Sequence, residues 1–344
     1  MPHQHPAAPN SDRPIASVAR RHTLGGLAAG AASVALCQAA PAFAQADFPN
    51  RPLRVIVPQP PGGGFDFVAR QLGERLSRRI GQSVVVENRP GSGTLVGTDA
   101  AARAPADGYT LLMGSVSNIA LNMGLYQKLS YDSLRDFESV GLAVSYGYTM
   151  VARRDLPFGS LRELIAHARA NPGKLTYASA GNGSGQHVLA AALWHLAGVD
   201  VVHVPYKGAQ AVYPDLIGGR VDVFIDLSST ARAQIAAGAV KPLATSGADR
   251  SPLHPDLPTF IDSGVALDLE SWFGYFVPAQ TPGAIQDKLR RELAAVIADE
   301  ELREVFRKAG GKPLALDAAA ERSLVRRDVE RWTKLVRDIG IKAD

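Results

Sequence analysis

The residues with the clearest chemical potential form a glycine turn. Leu53-Arg54-Val55-Ile56-Val57 is a β-branched run, Pro60-Pro61 interrupts it, and Gly62-Gly63-Gly64 leads into an amphipathic stretch opening with Phe65-Asp66. A strand, a glycine turn and a helix start present bare backbone N–H groups at a positive helix end, which binds anions. Phosphate hydrolysis is excluded, because no Gly-Lys-Ser/Thr follows the glycines. Gly91-Ser92-Gly93 runs on into Thr94-Leu95-Val96, so the dinucleotide fingerprint is missing. Ser184 has Asn182 where a nucleophile elbow needs glycine.

Other reactive types are dispersed. His187, His195 and His203 recur every eight residues, whereas metal ligands on one helix need spacings of three or four. They read as a helix-start histidine and two packed or surface ones. Asp222 and Asp226 fall on one face of a strand, but at roughly 13 Å apart they cannot share a substrate proton. Asp226, at a strand's carboxyl end, is placed to meet a ligand. Asp66 suits the dipole of its helix start and also adjoins the glycine turn.

The elements that must position these residues alternate. Strands are expected at Val55–Val57, Val84–Val86, Tyr109–Met113, within Phe137–Arg153, and at Thr176–Ser179, Val201–Val204, Val221–Ile225, Pro242–Thr245 and Trp272–Val277. Val68, Leu72, Leu76 and Ile80 form a helical stripe stopped by Gly81, and a second helix runs from about Thr94 to Ala104. Ser160-Leu161-Arg162-Glu163 is a capping box opening a helix to Asn171. Helices are also expected from Gln186 to Leu196 and from Pro205-Tyr206-Lys207-Gly208 to Ile217. Beyond Thr281-Pro282 the pattern predicts a long helical tail and a last helix from about Ala318 to Ile339. Such alternation predicts parallel βαβ units with ligands at the carboxyl ends of the strands. Four turns lie there: Pro61–Asp66, Gly114–Asn118, Ser179–His187 and Pro205–Gln210.

At the N-terminus, Arg20-Arg21 precede an apolar stretch from Leu24 to Ala40, and Ala42-Phe43-Ala44 or Ala44-Gln45-Ala46 offers a cleavage site. This predicts a cleavable secretory leader over residues 1–46, exported by the Sec or the twin-arginine route. Cleavage removes Cys37, the single cysteine, and with it any disulfide or thiolate chemistry. Losing three arginines and one aspartate also takes the net charge from +4 to +2. No Lys/Arg run interleaves with aromatics, so nucleic acid is excluded as a partner.

Several strings together resemble the Bug family, the extracytoplasmic solute receptors of tripartite tricarboxylate transporters. They are Leu53–Pro58 with Pro60-Pro61-Gly62-Gly63-Gly64 and Asp66, then Val85–Gly91 and Ala106–Leu112. Tyr177–Ser184, His203–Gly208, Gly218–Val223 and Arg250-Ser251 complete the set, in order over about Phe48 to Trp332. The resemblance implies an α/β, two-lobed periplasmic binding protein fold of the Venus-flytrap type with two hinge crossings. Lobe 1 would be residues 47–146 and 268–344, and lobe 2 residues 147–267.

It further implies a small carboxylate, an organic acid or amino acid, held without cofactor or metal. The protein would be a monomeric, periplasmic receptor serving a membrane permease. A sensor signalling to a membrane kinase is the alternative, and a secreted enzyme is disfavoured by the missing motifs. Implied ligand contacts are Gly62, Gly63, Gly64, Phe65 and Asp66 in the first turn, and Ser115 and Asn118 after the third strand. Ser179, Asn182, Gly183 and Ser184 would face them, with Tyr206, Lys207 and Asp226 at the rim or floor. Phe65 replaces the family's usual small hydroxyl residue, so it either packs on its lobe or meets the ligand. Val116-Ser117-Asn118 departs from the family's serine-histidine-alanine string.

Overall fold

In the computed structural model, which describes residues 48–342, β1 (Leu53–Val57) is buried on both faces, as a β-branched run in a covered sheet should be. Helix α1 (Gly64–Ile80) buries Val68, Leu72 and Leu76 and ends at Gly81, whose φ of 68° suits a residue without Cβ. Strand β2 (Val84–Asn88), helix α2 (Leu95–Ala102) and strand β3 (Thr110–Ser115) follow, and β2 and β3 flank β1 in parallel. A π-helical turn over 116–121 and the short helices α3 (Asn122–Leu125) and α4 (Ser133–Asp136) lead on to β4 (Phe137–Arg153).

The next stretch builds a second set. It comprises α5 (Leu161–Ala170), β5 (Thr176–Ser179), α6 (Gly185–Ala197), β6 (Val202–Pro205), a 3₁₀ turn at 209–211 and α7 (Tyr213–Ile217). Strand β7 (Val223–Leu227), α8 (Ser228–Ala236) and β8 (Val240–Thr245) complete it. The chain then returns through β9 (Glu270–Pro278), α9 (Gly283–Ile297), α10 (Glu300–Lys308), β10 (Gly311–Pro313) and α11 (Ala318–Asp338).

β4 organises the molecule because it serves two sheets. Up to Gly147 it pairs antiparallel with β9, and from Tyr148 onward it pairs with β7 and β8. One half of the molecule is therefore built on β2-β1-β3-β9-β4, the other on β4-β7-β5-β6. The return crossing lies beside the first. Ser246 accepts the Tyr148 N–H on its hydroxyl at 2.8 Å, donates its own N–H to the Tyr148 carbonyl at 2.8 Å, and donates its hydroxyl to the Leu269 carbonyl.

Three expectations need correction. The sheet is mixed: β1–β3 and β5–β7 are parallel, but β4, β8, β9 and β10 pair antiparallel, because the chain leaves the first half on β4 and re-enters it on β9. The expected single helical tail is two helices, divided at Asp299, whose carboxylate caps the Glu301 N–H at 2.8 Å. Helix α8 was not expected at all; it buries only Ser228 and Ala231, too little for an apolar stripe. The leader expectation, with Arg20, Arg21 and Cys37, lies outside the described residues. Among the described residues no helix is long and apolar enough to cross a membrane.

Candidate binding site

The first glycine turn is held from below by Asp66. Its carboxylate accepts the Gly62 N–H at 3.1 Å, the Arg70 guanidinium at 3.0 and 2.8 Å, and the Asn88 amide at 3.0 Å. Asn88 also donates to the Gln59 carbonyl at 3.0 Å. Burial alone would raise the Asp66 carboxyl, but Arg70, the Gly62 N–H and Asn88 outweigh it and hold the group below its ordinary value. Asp66 thus shapes the turn with all its acceptor sites engaged. Gly63 caps α1 without any side-chain acceptor, so the orphan N–H groups of the helix start have no capping partner, although Gly63 and Gly64 are themselves buried where the other half packs on this turn. Phe65 is 2% exposed and meets Phe273 edge-on at 5.3 Å, which places it in the packing of its own half.

Ser115 and Asn118 form a capping box. Asn118 Oδ1 accepts the Ser115 N–H at 2.8 Å, and Ser115 Oγ accepts the Ser117 N–H at 3.1 Å. Both are completely buried and turned inward. Ser117, between them, reaches across instead: its hydroxyl accepts the Gly185 N–H, at the start of α6, at 3.0 Å.

The second glycine loop is largely self-satisfied. Gly183 N–H donates to His187 Nδ1 at 3.2 Å, and His187 N–H donates to Ser184 Oγ at 3.2 Å. Ser179 Oγ lies 2.7 Å from His203 Nε2. The His187 and His203 rings stack at 4.0 Å, and Tyr177 stacks on His203 at 4.8 Å. Two of the three histidines therefore form one pair beneath the loop. Burial, joined for His187 by the charge of His203, lowers His187 to about 4; burial lowers His203 to about 4. Asn182 remains exposed at the loop tip.

Asp226 is completely buried but turned into its own half. It accepts from Gln186 at 3.3 Å, Tyr213 at 2.8 Å, Thr230 at 2.6 Å and the Leu227 N–H at 2.8 Å, and burial pushes its carboxyl up. Tyr206 donates its hydroxyl to Asp215 at 2.7 Å and its N–H to the Ser179 carbonyl at 3.0 Å, and Lys207 is exposed. Asp222 pairs with Arg153 at 2.8 Å.

The two halves meet face to face. Gln210 Nε2 donates to the Gly62 carbonyl at 3.2 Å. A Cβ on Gly93 would overlap the Asn182 carbonyl, and one on Gly64 would overlap Leu227 Cδ1. Ser117, Gln210, Leu227 and Gly93 are thus contacts across the cleft that sequence reasoning missed. Only Ser117 and Gln210 lay in turns already singled out. A pocket of about 410 Å³ opens beside the first turn, walled by Gly62, Phe67 and Lys308 on one side and Gln210, Ser229 and Arg232 on the other. Cavities of similar size lie behind β4 and α9 and behind the crossings, touching none of the glycine turns. Among the described residues no three His, Cys, Asp or Glu side chains gather as metal ligands would.

Two α/β halves joined by two crossings, with glycine turns facing each other across a cleft, define a two-lobed solute-binding protein. The chain belongs to the tripartite tricarboxylate transporter receptor family, whose pattern it matches over residues 68–341. BugT of Bordetella pertussis is 34% identical over 297 residues, 86% of this chain and 91% of BugT. Among solved structures, R. palustris Rpa4515 with adipate has a TM-score of 0.82 at 32% identity, covering 86% of this chain and 99% of that one. MatC from Rhodopseudomonas palustris with bound malate has a TM-score of 0.79 at 29% identity, covering 84% and 100%. The family is one of receptors, not enzymes.

Proposed function

We propose that this receptor captures a small carboxylate in the cleft between lobe 1, residues 47–146 and 268–344, and lobe 2, residues 147–267. Export by the residue 1–46 leader would place it in the periplasm, where it delivers the ligand to a tripartite tricarboxylate-type permease. The observation that carries this reading is the uncapped start of α1 at Gly63-Gly64, directed at the opposite lobe. A carboxylate entering the cleft loses water and needs replacement donors. Open N–H groups at a helix end supply them, each hydrogen bond to the charge contributing about 1.5–3 kcal/mol. The adipate and malate held by two relatives support the same ligand chemistry.

The second loop has a different part. Its Gly183 and Gly185 donors are engaged by His187 and Ser117, so it supplies shape and closure while the first turn supplies charge compensation. Thermal denaturation with a panel of organic and amino acids tests the reading. At least one carboxylate should raise the melting temperature in a concentration-dependent way, and its amide should not. A protein indifferent to every carboxylate would overturn it.

A further inference from the structure

The pocket beside the first turn has an unbalanced charge. Arg232, from α8 of lobe 2, and Lys308, from the end of α10 of lobe 1, line the same cavity, and no acid lines it. Arg232 pairs with no carboxylate among the described residues. Lys308 has Glu304, one turn back on its own helix, at 3.8 Å. The Ser229 hydroxyl at this wall is buried without a partner. Phe67, Val305 and Ala309 make the floor apolar.

Two cations carried by opposite lobes repel as the lobes close. At about 0.1 M salt the screening length is roughly 10 Å, so the repulsion is felt wherever the two charged ends come within that range. An anion between them converts one repulsion into two attractions. From this we infer that Arg232 and Lys308 form a charge gate that receives a second, outward-facing acidic group of the ligand. The gate makes closure favour diacids over monoacids of the same length. The apolar floor takes the methylene spacer, and Ser229 is placed to donate to the distal group. This inference rests on the carboxylate reading of the cleft and adds the residues that sense the ligand's far end.

The test compares adipate with hexanoate, and succinate with butyrate, by calorimetry. In the wild-type protein the diacid of at least one pair should bind more tightly, by about fivefold for each cation engaged. The diacid-to-monoacid ratio should collapse toward one in Arg232→Gln/Lys308→Gln and persist in Arg232→Lys/Lys308→Arg. As a second readout on the wild type, added NaCl should weaken the diacid more than the monoacid. An unchanged ratio in the neutral double variant, or equal salt dependence, would overturn the gate and leave the carboxylate reading standing. Failure of every carboxylate to bind the wild type would overturn both.

Discussion

At the scale of single residues, the two turns separate groups engaged within their own half from N–H groups with no hydrogen-bond partner. Asp66 and Asn118 are buried and fully engaged within lobe 1, and Asp226 is engaged within lobe 2. Gly63 is the opposite case. Its φ of −89° is open to any residue, and a Cβ there would find Gln59 Oε1 no nearer than 3.7 Å. Gly63→Val should therefore cost only about 1 kcal/mol of stability while its branched side chain covers the uncapped N–H groups. Calorimetry should show carboxylate binding lost from a folded protein. Phe65 packs edge-on against Phe273, so Phe65→Thr should lower stability by about 3 kcal/mol in urea titrations, without a new ligand preference. His187 carries a pH signature. Its folded value of about 4 lies below the ordinary 6.5, so between those limits the unfolded chain binds protons that the folded chain refuses. Its contribution is complete above pH 6.5 and is lost as pH falls toward 4. The urea midpoint should decline less steeply over that window in His187→Gln than in wild type, and parallel curves would contradict the assignment.

At the scale of elements, closure depends on backbone meeting backbone. Gly93 has φ 68° and abuts the Asn182 carbonyl of the other lobe. Gly93→Ala carries about 1–2 kcal/mol of strain in any state, but its overlap with lobe 2 exists only when the cleft is shut. Small-angle scattering should show a variant that does not contract with ligand, with affinity reduced about tenfold or more; contraction like wild type would contradict this. How much of this was legible follows from what each signal needs. Pro60-Pro61-Gly62-Gly63-Gly64 and the Ser160 cap are local chemistry and could be read directly. The facing of Ser117 onto Gly185, and of Gln210 onto Gly62, depends on how two lobes are set against each other, which no local pattern encodes. β4 carries one alternating run through both sheets, so its change of partner at Tyr148 leaves no mark in residue type. Helix α8, with Ser228-Ser229-Thr230 at its start, lacked the apolar stripe that exposes a helix, and so Arg232 was missed with it.

At the scale of the whole molecule, the chain passes between the two sheets at Tyr148 and again at Ser246, and β4 belongs to both sheets. Ser246 ties both crossings through its hydroxyl. Ser246→Ala should lower stability by about 1–3 kcal/mol, since it leaves a buried N–H and carbonyl without that partner; urea denaturation measures it. In the proposed function, the helix start on one lobe holds a carboxylate as the other lobe closes over it. The most direct test is calorimetric titration of the wild type and Gly63→Val with a carboxylate that raises the melting temperature, alongside its neutral amide. The acid should bind the wild type alone, saturably and one-to-one, with the amide inert. Equal binding of acid and amide, or undiminished binding of the acid by Gly63→Val, would contradict it.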